Sequence, residues 1–292
     1  MNSQFDIIVV GGGLVGLAGA FKIQQKFPQK KILLIEKEKK IAIHQSGRNS
    51  GVLHSGLYYQ PESNRSKTCV LGRHELVQFA KHNNITHEVC GKLVVAANNI
   101  ELQSLPKLLK RGLGNGLKGL KIINQDEIKE IEPFVKGLGA IWVPETGIID
   151  YSQVANKLAE LIKQINFKSE IITGAEVINC QTDANKSIVI TKNQHFECNN
   201  IIFCGGLFSD RLANMDNLDT NLKIVGFRGD YYSLTDDSKH KVKNLIYPVP
   251  NPEFPFLGVH FTRMTTGEIE CGPNAVFTFK REGYKKRDFN FK

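Results

Sequence analysis

The sequence lacks the cysteine patterns that build zinc sites and disulfide frameworks. Among its 292 residues there are six cysteines, and no two of them form a C-x-x-C pair. Cysteine and histidine also never cluster at the spacing of zinc ligands, so we predict no metal site. Since the start of the sequence does not resemble a secretory signal, the cysteines are expected to be buried, reduced thiols of a cytoplasmic protein.

No hydrophobic stretch is long enough to cross a membrane. The best candidate, Ile7–Phe21, has 15 residues without a charge and is interrupted by glycines, whereas a membrane-spanning helix needs about 20 apolar residues. The sequence also contains no nucleic-acid-binding module and no stripe of basic and aromatic residues. Nucleic acid is therefore not an expected partner.

Positive charge exceeds negative charge, and the formal net charge is +9. Six basic and two acidic residues fall in the last thirteen positions, KREGYKKRDFNFK. This basic tail, residues 280–292, favours an anionic surface or substrate, and it permits peripheral contact with the inner face of a membrane.

What the sequence does contain is a dinucleotide-binding pattern at its start. A predicted strand, Ile7–Val10, runs into three glycines with G-x-G-x-x-G spacing: Gly11, Gly13 and Gly16. A predicted helix follows to about Phe27, and a second predicted strand, Lys31–Ile35, leads to Glu36. Strand, helix and acidic residue occur in the order that the fingerprint requires, which a lone glycine motif would not show.

Each part of this pattern has a physical role. Gly11 permits a tight turn, Gly13 allows backbone N–H groups to approach a pyrophosphate, and Gly16 allows close packing of helix and strand. The helix N-terminus adds about half a positive charge that faces phosphate groups. Glu36 is expected to accept hydrogen bonds from the hydroxyls of an adenosine ribose and to repel a 2′-phosphate, so NADP is disfavoured.

The rest of the sequence alternates between mixed helix-and-strand segments and strand-rich segments. Residues 1–84 and 147–220 are predicted to form one discontinuous dinucleotide-binding domain. Residues 85–146 and 221–279 are predicted to form a second domain, which includes two long strands at 223–234 and 244–264. The expected fold class is α/β (α+β), a Rossmann-like domain with an interleaved antiparallel-β domain that holds the substrate.

Three further segments resemble one family closely. They are the loop AIHQSGRNSGVLHSGLYYQPES, the piece FRGDYY, and the run from YPVPNPEFPFLGVHFT to GPNAVFTFKREGY. Together they resemble the flavin-dependent L-2-hydroxyglutarate dehydrogenases and oxidases, in the D-amino-acid-oxidase-like superfamily, across nearly the whole chain. The resemblance implies FAD as cofactor and hydride transfer from C2 of the dicarboxylate L-2-hydroxyglutarate to the flavin N5, which gives 2-oxoglutarate. The electrons would then pass to a quinone-type acceptor or to oxygen.

The resemblance also implies which residues contact FAD. Contacts with the pyrophosphate and the ribose correspond to Gly11, Gly13, Gly16 and Glu36. The loop Ser46–Gly56 corresponds to the stretch beneath the flavin ring, and its candidate contacts are Ser46, Arg48, Asn49, Ser50 and Gly51. Val177 corresponds to the residue whose backbone meets the adenine, and Gly205 and Gly206 correspond to a second glycine step against the cofactor.

Oxidation of a 2-hydroxy acid needs a base for the hydroxyl proton, and a histidine suits this role near neutral pH. His260 is the first candidate, because it points to the opposite side of a predicted strand from its two apolar neighbours. His54, in the flavin loop, is the second candidate, and His44 is the third. The candidates for holding the substrate are Arg228 and Tyr231 in FRGDYY, followed by Tyr232, Arg48, Lys280 and Arg281.

Other functions stay open from the sequence alone. A related flavoenzyme for another 2-hydroxy or 2-amino acid, or for glycerol 3-phosphate, shares the glycine fingerprint, and so does an NAD-dependent dehydrogenase. Members of the resembled family also continue past GPNAVFTFKREGY to a closing flavin-binding segment that this sequence does not contain. An inactive truncated fragment is therefore a further alternative.

Overall fold

The computed structural model of the chain describes residues 3–183, 186–251, 253 and 258–290. The chain divides into two compact units, and each is assembled from separate segments of the sequence. Unit 1 contains Met1–Asn49, Tyr151–Gly226 and Thr278–Lys292, and unit 2 contains Ser50–Asp150 and Phe227–Phe277.

Strands and helices alternate along most of the chain. In order, the described residues form β1 (Ser3–Val10), α1 (Leu14–Lys26), β2 (Ile32–Ile35), β3 (Val52–Leu53), α2 (Asn64–His82), β4 (His87–Glu88), β5 (Lys92–Ala96), α3 (Asn99–Gly114), β6 (Lys121–Ile123), α4 (Gln125–Ile131), β7 (Gly139–Val143), β8 (Gly147–Ile149), α5 (Tyr151–Ile165), β9 (Glu170–Ile172), β10 (Val177–Thr182), β11 (Ser187–Thr191), β12 (His195–Phe203), α6 (Ser209–Met215), β13 (Phe227–Ser233), β14 (Leu245–Pro248), β15 (His260–Arg263) and β16 (Ile269–Phe277). Short 3-10 helices occupy Gly206–Phe208 and Asp236–Lys241.

Unit 1 is organised around a six-stranded sheet in the order β10-β11-β12-β1-β2-β9. β1 lies between β12 and β2 and is parallel to both, whereas β10, β11 and β12 pair in antiparallel fashion. Every residue of β2 is buried, as is typical of a parallel strand that is covered on both faces. Helices α1 and α5 pack together, and α5 buries residues at helical spacing along one face: Val154, Ala155, Leu158 and Ile162.

Unit 2 contains a seven-stranded sheet in the order β13-β16-β15-β14-β5-β7-β6 and a small sheet in the order β3-β8-β4. The strands of the large sheet are antiparallel except for the pair β14 and β5. The interior strand β5 is buried along its whole length. Val94 faces a core with Leu105 of α3, and Leu93 faces a second core with Ile128 of α4. The predicted fold class, with an interleaved and largely antiparallel second part, is confirmed.

The boundary between the two units differs from the predicted one. Residues 50–84, which we assigned to the dinucleotide-binding domain, belong to unit 2. The reason is that β3 pairs with β8 and that α2 is bonded to the rest of this unit. Ser66 donates to the Asn115 side chain at 2.7 Å, and Arg73 pairs with Glu145 at 3.2 Å. Residues 147–150 also belong to unit 2 through β8, and residues 221–226 belong to unit 1.

The two predicted long strands are shorter than expected. The first begins at Phe227, because the backbone N–H of Ile224 donates to the Asp210 carboxylate at 3.0 Å and not to a neighbouring strand. The second, at 244–264, is divided into β14 and β15, since Pro248 and Pro250 cannot donate ladder hydrogen bonds. Residues 252 and 254–257 of that prediction lie outside the described residues.

The basic tail also differs from its prediction as a separate segment, because Thr278–Lys292 belongs to unit 1. Arg281 donates to the Leu207 carbonyl at 2.5 Å and to the Asp210 carboxylate at 2.6 Å. Glu282 pairs with Lys37, and the hydroxyl of Tyr284 lies 2.8 Å from Nδ1 of His44. These bonds attach the described part of the tail to the loops that follow β2 and β12.

Unit 2 depends on one fully buried carboxylate. Glu132, just after α4, accepts backbone N–H bonds from Lys243 at 3.1 Å and Asn244 at 2.5 Å. We expect Glu132→Ala to lower the free energy of unfolding by about 3 kcal/mol, because a fully buried carboxylate and its hydrogen bonds to both backbone donors would be lost. Urea unfolding measures this loss, and the matched change Glu130→Ala, at an exposed position of α4, should have almost no effect. Equal losses in the two variants would contradict the role of Glu132.

Candidate functional site

The predicted glycine turn joins the end of β1 to the start of α1. Gly11 has a φ of +116°, and a Cβ at this position would lie 2.3 Å from the carbonyl oxygen of Cys204. A Cβ at Gly16 would lie 2.0 Å from the carbonyl oxygen of Gly11. Because only glycine fits such close contacts, the turn brings the first residues of α1 directly against the strands.

The N-terminus of α1 is open to an anionic group. Its N-cap, Gly13, offers no side chain to the first N–H groups, and the first turn contains no acidic residue. Within the described part of the chain, only the N–H of Leu14 has a side-chain partner there, the Ser46 hydroxyl at 2.9 Å. Free N–H groups and the helix dipole together favour a phosphate at such a position.

Glu36 is held in place at the end of β2. Its side chain is only 8% exposed. One carboxylate oxygen accepts the N–H of Gly12 at 2.7 Å, and the other accepts the N–H of Glu38 at 2.9 Å. The carboxylate is therefore fixed beside the glycine turn, which is the position that contact with a ribose requires.

One cavity in unit 1 combines these features. It has a volume of about 450 Å³, and its lining includes the following predicted contacts: Gly11, Gly13, Glu36, Ser46, Val177, Gly205 and Gly206. Gly16 packs beneath the turn and does not line the cavity. The lining groups are suited to the pyrophosphate and ribose of a dinucleotide.

Comparison with known proteins agrees with this geometry. The family described as "FAD dependent oxidoreductase" (DAO) matches residues 6–290. The chain belongs to this family. FAD is the cofactor, and the enzyme therefore acts on a small-molecule substrate and passes electrons to an acceptor.

Three curated relatives of this FAD-dependent oxidoreductase carry the name L-2-hydroxyglutarate dehydrogenase. L-2-hydroxyglutarate dehydrogenase of Indibacter alkaliphilus is 50% identical over 99% of this chain and 72% of its own length. The Escherichia coli K12 enzyme of the same name is 40% identical over 99% of this chain and 68% of its own length. The mitochondrial human enzyme is 43% identical over 99% of this chain and 65% of its own length, so the chain spans about two thirds of these proteins.

Two solved structures also share the fold of this FAD-dependent oxidoreductase. L-α-glycerophosphate oxidase of Mycoplasma pneumoniae, with FAD bound, matches with a TM-score of 0.84 and 25% sequence identity. The match covers 98% of this chain and 76% of the other. Glycine oxidase of Geobacillus kaustophilus matches with a TM-score of 0.80 at 16% identity, over 96% of this chain and 74% of the other.

The predicted flavin loop, Ser46–Gly56, is divided between the two units after Asn49. In unit 1, the Arg48 guanidinium lies 4.3 Å from the ring centre of Tyr284, and Asn49 donates to the Ser46 carbonyl at 2.7 Å. Ser50 and Gly51 begin unit 2, where the Gly51 carbonyl accepts from the N–H of Ile149 at 2.8 Å. Of the five loop candidates, all of which are described, only Ser46 lines the cavity.

His260, the first candidate base, is a buried residue of unit 2 with 3% exposure. Its ring stacks on Tyr247, with ring centres 4.0 Å apart, and its Nδ1 lies 2.8 Å from the carbonyl oxygen of Gly258. Since a carbonyl can only accept, Nδ1 carries the proton and Nε2 carries the lone pair. Burial lowers the pKa of His260, the bond to Gly258 opposes this, and the charge of Lys92 lowers the pKa further.

Lys92, at the start of β5, is a functional candidate that the sequence analysis missed. It is 1% exposed, and its ammonium lies 3.4 Å from the Tyr58 hydroxyl, 4.5 Å from the Tyr58 ring centre and 5.0 Å from the Tyr247 ring centre. Burial lowers the pKa of Lys92 to about 7, and the electrostatic interaction with Cys69 acts in the opposite direction. A lysine in the otherwise apolar strand KLVVA was the available signal, because buried lysines are rare.

His54, the second candidate base, belongs to the same group of residues in unit 2. Its side chain is reached by solvent, although protein surrounds most of it. Desolvation lowers the pKa of His54 to about 4, with further contributions from the charges of Lys92 and His260. Two predicted histidines thus lie within electrostatic reach of each other and of one buried lysine.

The predicted substrate contacts on β13, Arg228, Tyr231 and Tyr232, differ from one another in their surroundings. The Arg228 guanidinium donates two hydrogen bonds to the Asp230 carboxylate, at 2.6 and 3.2 Å. Tyr231 contacts the edge of the His260 ring, with ring centres 6.5 Å apart, whereas Tyr232 is 73% exposed. Burial and the charge of Glu270 raise the pKa of Tyr231, so its hydroxyl stays protonated and can donate a hydrogen bond.

His44, the third candidate base, lies in unit 1 within a cluster of charged residues. Its Nε2 is 3.0 Å from the Glu38 carboxylate and 3.1 Å from the Glu282 carboxylate. These three residues are the only described group with metal-ligand geometry, but Lys37 already pairs with both carboxylates. His44 is thus bound in an ion-pair network.

Among the described residues, no helix is long and apolar enough to cross a membrane.

Two glycines of α1 provide a matched test of the cofactor cavity. We expect Gly16→Ala to lower the free energy of unfolding by about 1–3 kcal/mol and to reduce bound FAD sharply, because its Cβ would overlap the Gly11 carbonyl. A Cβ at Gly19 meets nothing within 4 Å, so Gly19→Ala should retain FAD and stabilise the helix by about 0.5–1 kcal/mol. Flavin absorbance per chain and urea unfolding measure both effects. Full FAD content in Gly16→Ala would contradict the close-contact argument.

Proposed function

We propose that the chain oxidises L-2-hydroxyglutarate to 2-oxoglutarate with FAD as its cofactor. The identity of the substrate rests on the curated relatives named L-2-hydroxyglutarate dehydrogenase, which are 40–50% identical across 99% of this chain. The observation that carries the chemistry is the buried His260, whose bond to Gly258 leaves Nε2 as a proton acceptor.

The cofactor contacts that we propose lie mainly in unit 1. The open N-terminus of α1, with Gly11, Gly13 and Gly16, would bind the pyrophosphate, and Glu36 would bind the ribose. Val177 and the pair Gly205 and Gly206 line the same cavity, which supports their predicted contacts with the adenine side of FAD. Ser46, Arg48, Asn49, Ser50 and Gly51 stay predictions for the flavin side.

His260 supplies the proton chemistry in this proposal. Oxidation of the substrate breaks its C2–H bond and its O–H bond while a C=O double bond forms. The hydroxyl proton passes to Nε2 of His260, and bound FAD supplies the oxidant for the hydride that leaves C2. Because the pKa of His260 is lowered, the neutral, proton-accepting form predominates at pH 7 and is lost only as the pH falls below that lowered pKa.

The contacts to the two substrate carboxylates are proposed from unit 2. Tyr231 keeps its proton and lies beside His260, so it can donate to a carboxylate oxygen. Arg228 stays our predicted cationic contact, with its guanidinium oriented by Asp230. A quinone-type acceptor or oxygen is the proposed destination of the electrons. The cytoplasmic location and the peripheral membrane contact stay predictions.

Glycerol 3-phosphate is the alternative substrate to test, because a glycerophosphate oxidase shares the fold at 25% identity. Anaerobic addition of L-2-hydroxyglutarate to the FAD-loaded protein should bleach the flavin absorbance, whereas the D-enantiomer and glycerol 3-phosphate should not. If glycerol 3-phosphate alone bleached the flavin, it would be the substrate in place of L-2-hydroxyglutarate. A purified chain that takes up no FAD would favour the inactive-fragment interpretation.

We expect His260→Asn to retain FAD and to reduce the rate of flavin reduction by about a hundredfold, the usual contribution of a general base. Anaerobic stopped-flow absorbance measures this rate. The control is His195→Asn, at an exposed position on β12, which should reduce flavin at the wild-type rate. A rate in His260→Asn within about twofold of the wild type would remove His260 from the role of base.

A further inference from the structure

The most unusual charged group in unit 2 is the ammonium of Lys92. Its side chain is almost completely buried, and a buried charge is costly unless a counter-charge or hydrogen bonds compensate it. Among the ion pairs of the described residues, none includes Lys92. The Tyr58 hydroxyl is in polar contact with the ammonium, and the rings of Tyr58 and Tyr247 provide cation–π contacts.

The groups that face Lys92 are basic or neutral. Tyr58 and Tyr247 have pKa values raised by burial, so both hydroxyls stay protonated. Cys69 has a pKa raised by burial and stays a thiol. His54 and His260 complete the surroundings, and the charge of Lys92 lowers the pKa of each. Tyr231, which contacts His260, interacts with the carboxylate of Glu270.

Three basic groups without a counter-charge compete for protons. A proton on any one of them disfavours a second proton on the others, because like charges repel, most strongly between the buried residues Lys92 and His260. Lys92 has the highest proton affinity of the three, since its pKa is about 7 while those of the two histidines lie below the ordinary value of histidine. As the pH falls through neutrality, the first proton therefore goes to Lys92.

Tyr247 contacts both the Lys92 ammonium and the candidate base His260. One face of its ring stacks on His260 at 4.0 Å, and the Lys92 ammonium lies 5.0 Å from its ring centre. Lys92 and His260 are both buried, so their repulsion is only weakly screened.

We propose that Lys92 is a positioning residue of the active site. Held between Tyr58 and Tyr247, it takes up the one proton of the Lys92–His54–His260 cluster. It thereby keeps Nε2 of His260 free to receive the hydroxyl proton of the substrate. The proposal rests on the function proposed above for His260. Lys92 itself does not contact the substrate, and no bond to it forms or breaks.

The variant that tests this is Lys92→Met, which removes the charge and keeps an unbranched side chain of similar size. We expect His260 to titrate about 1 pH unit higher than in the wild type, because the repulsion from Lys92 is lost. ¹⁵N NMR of labelled histidine measures this titration without substrate, and His260→Asn identifies the signal.

The same variant should shift the acid limb of kcat/KM for flavin reduction to higher pH by about 1 unit, which lowers kcat/KM up to about tenfold on that limb. At about pH 9, where Lys92 is neutral in the wild type, the two rates should agree within about twofold. A change in packing alone would lower the rate equally at all pH values and leave the titration unshifted, and that result would overturn the proposal.

Two further variants keep the test decisive. Lys121→Met removes an exposed lysine from β6 of the same sheet and should shift neither the titration nor the pH profile. Tyr58→Phe removes the hydroxyl next to the Lys92 ammonium, so Lys92 should hold its proton less firmly and His260 should titrate at a higher pH by a smaller amount. If Lys92→Met does not fold, Tyr58→Phe alone decides, and an unshifted titration overturns the proposal.

The two proposals fail in different ways. A wild-type protein that L-2-hydroxyglutarate does not reduce would contradict the proposed function, but the substrate-free titration of His260 would still report on Lys92. A wild-type protein that L-2-hydroxyglutarate reduces, with identical His260 titration in the wild type, Lys92→Met and Tyr58→Phe, would retain the function and remove Lys92 from it.

Discussion

The close backbone contact at the start of α1 is the constraint on which the cofactor cavity depends. The helix can begin where it does because Gly11 and Gly16 have no side chains between it and the strand ends. That position aims the free N–H groups of the helix at the cavity, and the bonds from Gly12 and Glu38 hold the Glu36 carboxylate at its rim. Anion binding and ribose recognition thus follow from a steric property of two glycines.

Unit 2 uses a different physical principle, the placement of a charge where water cannot screen it. β5 brings Lys92 into a layer of aromatic rings, and β14 and β15 bring Tyr247 and His260 to the same layer. The strand pairing sets this arrangement, since β14 is the shared neighbour of β5 and β15. Electrostatics in this unit therefore depend on sheet topology, which no local sequence pattern specifies.

The features that could be predicted from the sequence are those with local causes. The G-x-G-x-x-G turn, the helix after it and Glu36 lie within 26 residues, and their spacing alone predicts the geometry found. His260 could be proposed from its alternation along a strand and from the family resemblance. Lys92 could not, because its burial results from contacts with Tyr58 and Tyr247, which are 34 and 155 positions away. The unit boundary after Asn49 was missed for the same reason, since β3 pairs with a strand near residue 148.

The interleaving of the two units has a consequence for how the polypeptide reaches its native state. Val10 of β1 pairs in register with Phe203 of β12, so the central strand of unit 1 gains one of its two neighbours only after about 190 further residues have been synthesised. Until then, the nascent chain exposes an apolar strand edge, which is a template for association with other chains. Productive folding on the ribosome should therefore depend on keeping β1 from pairing with other chains until β12 has been synthesised.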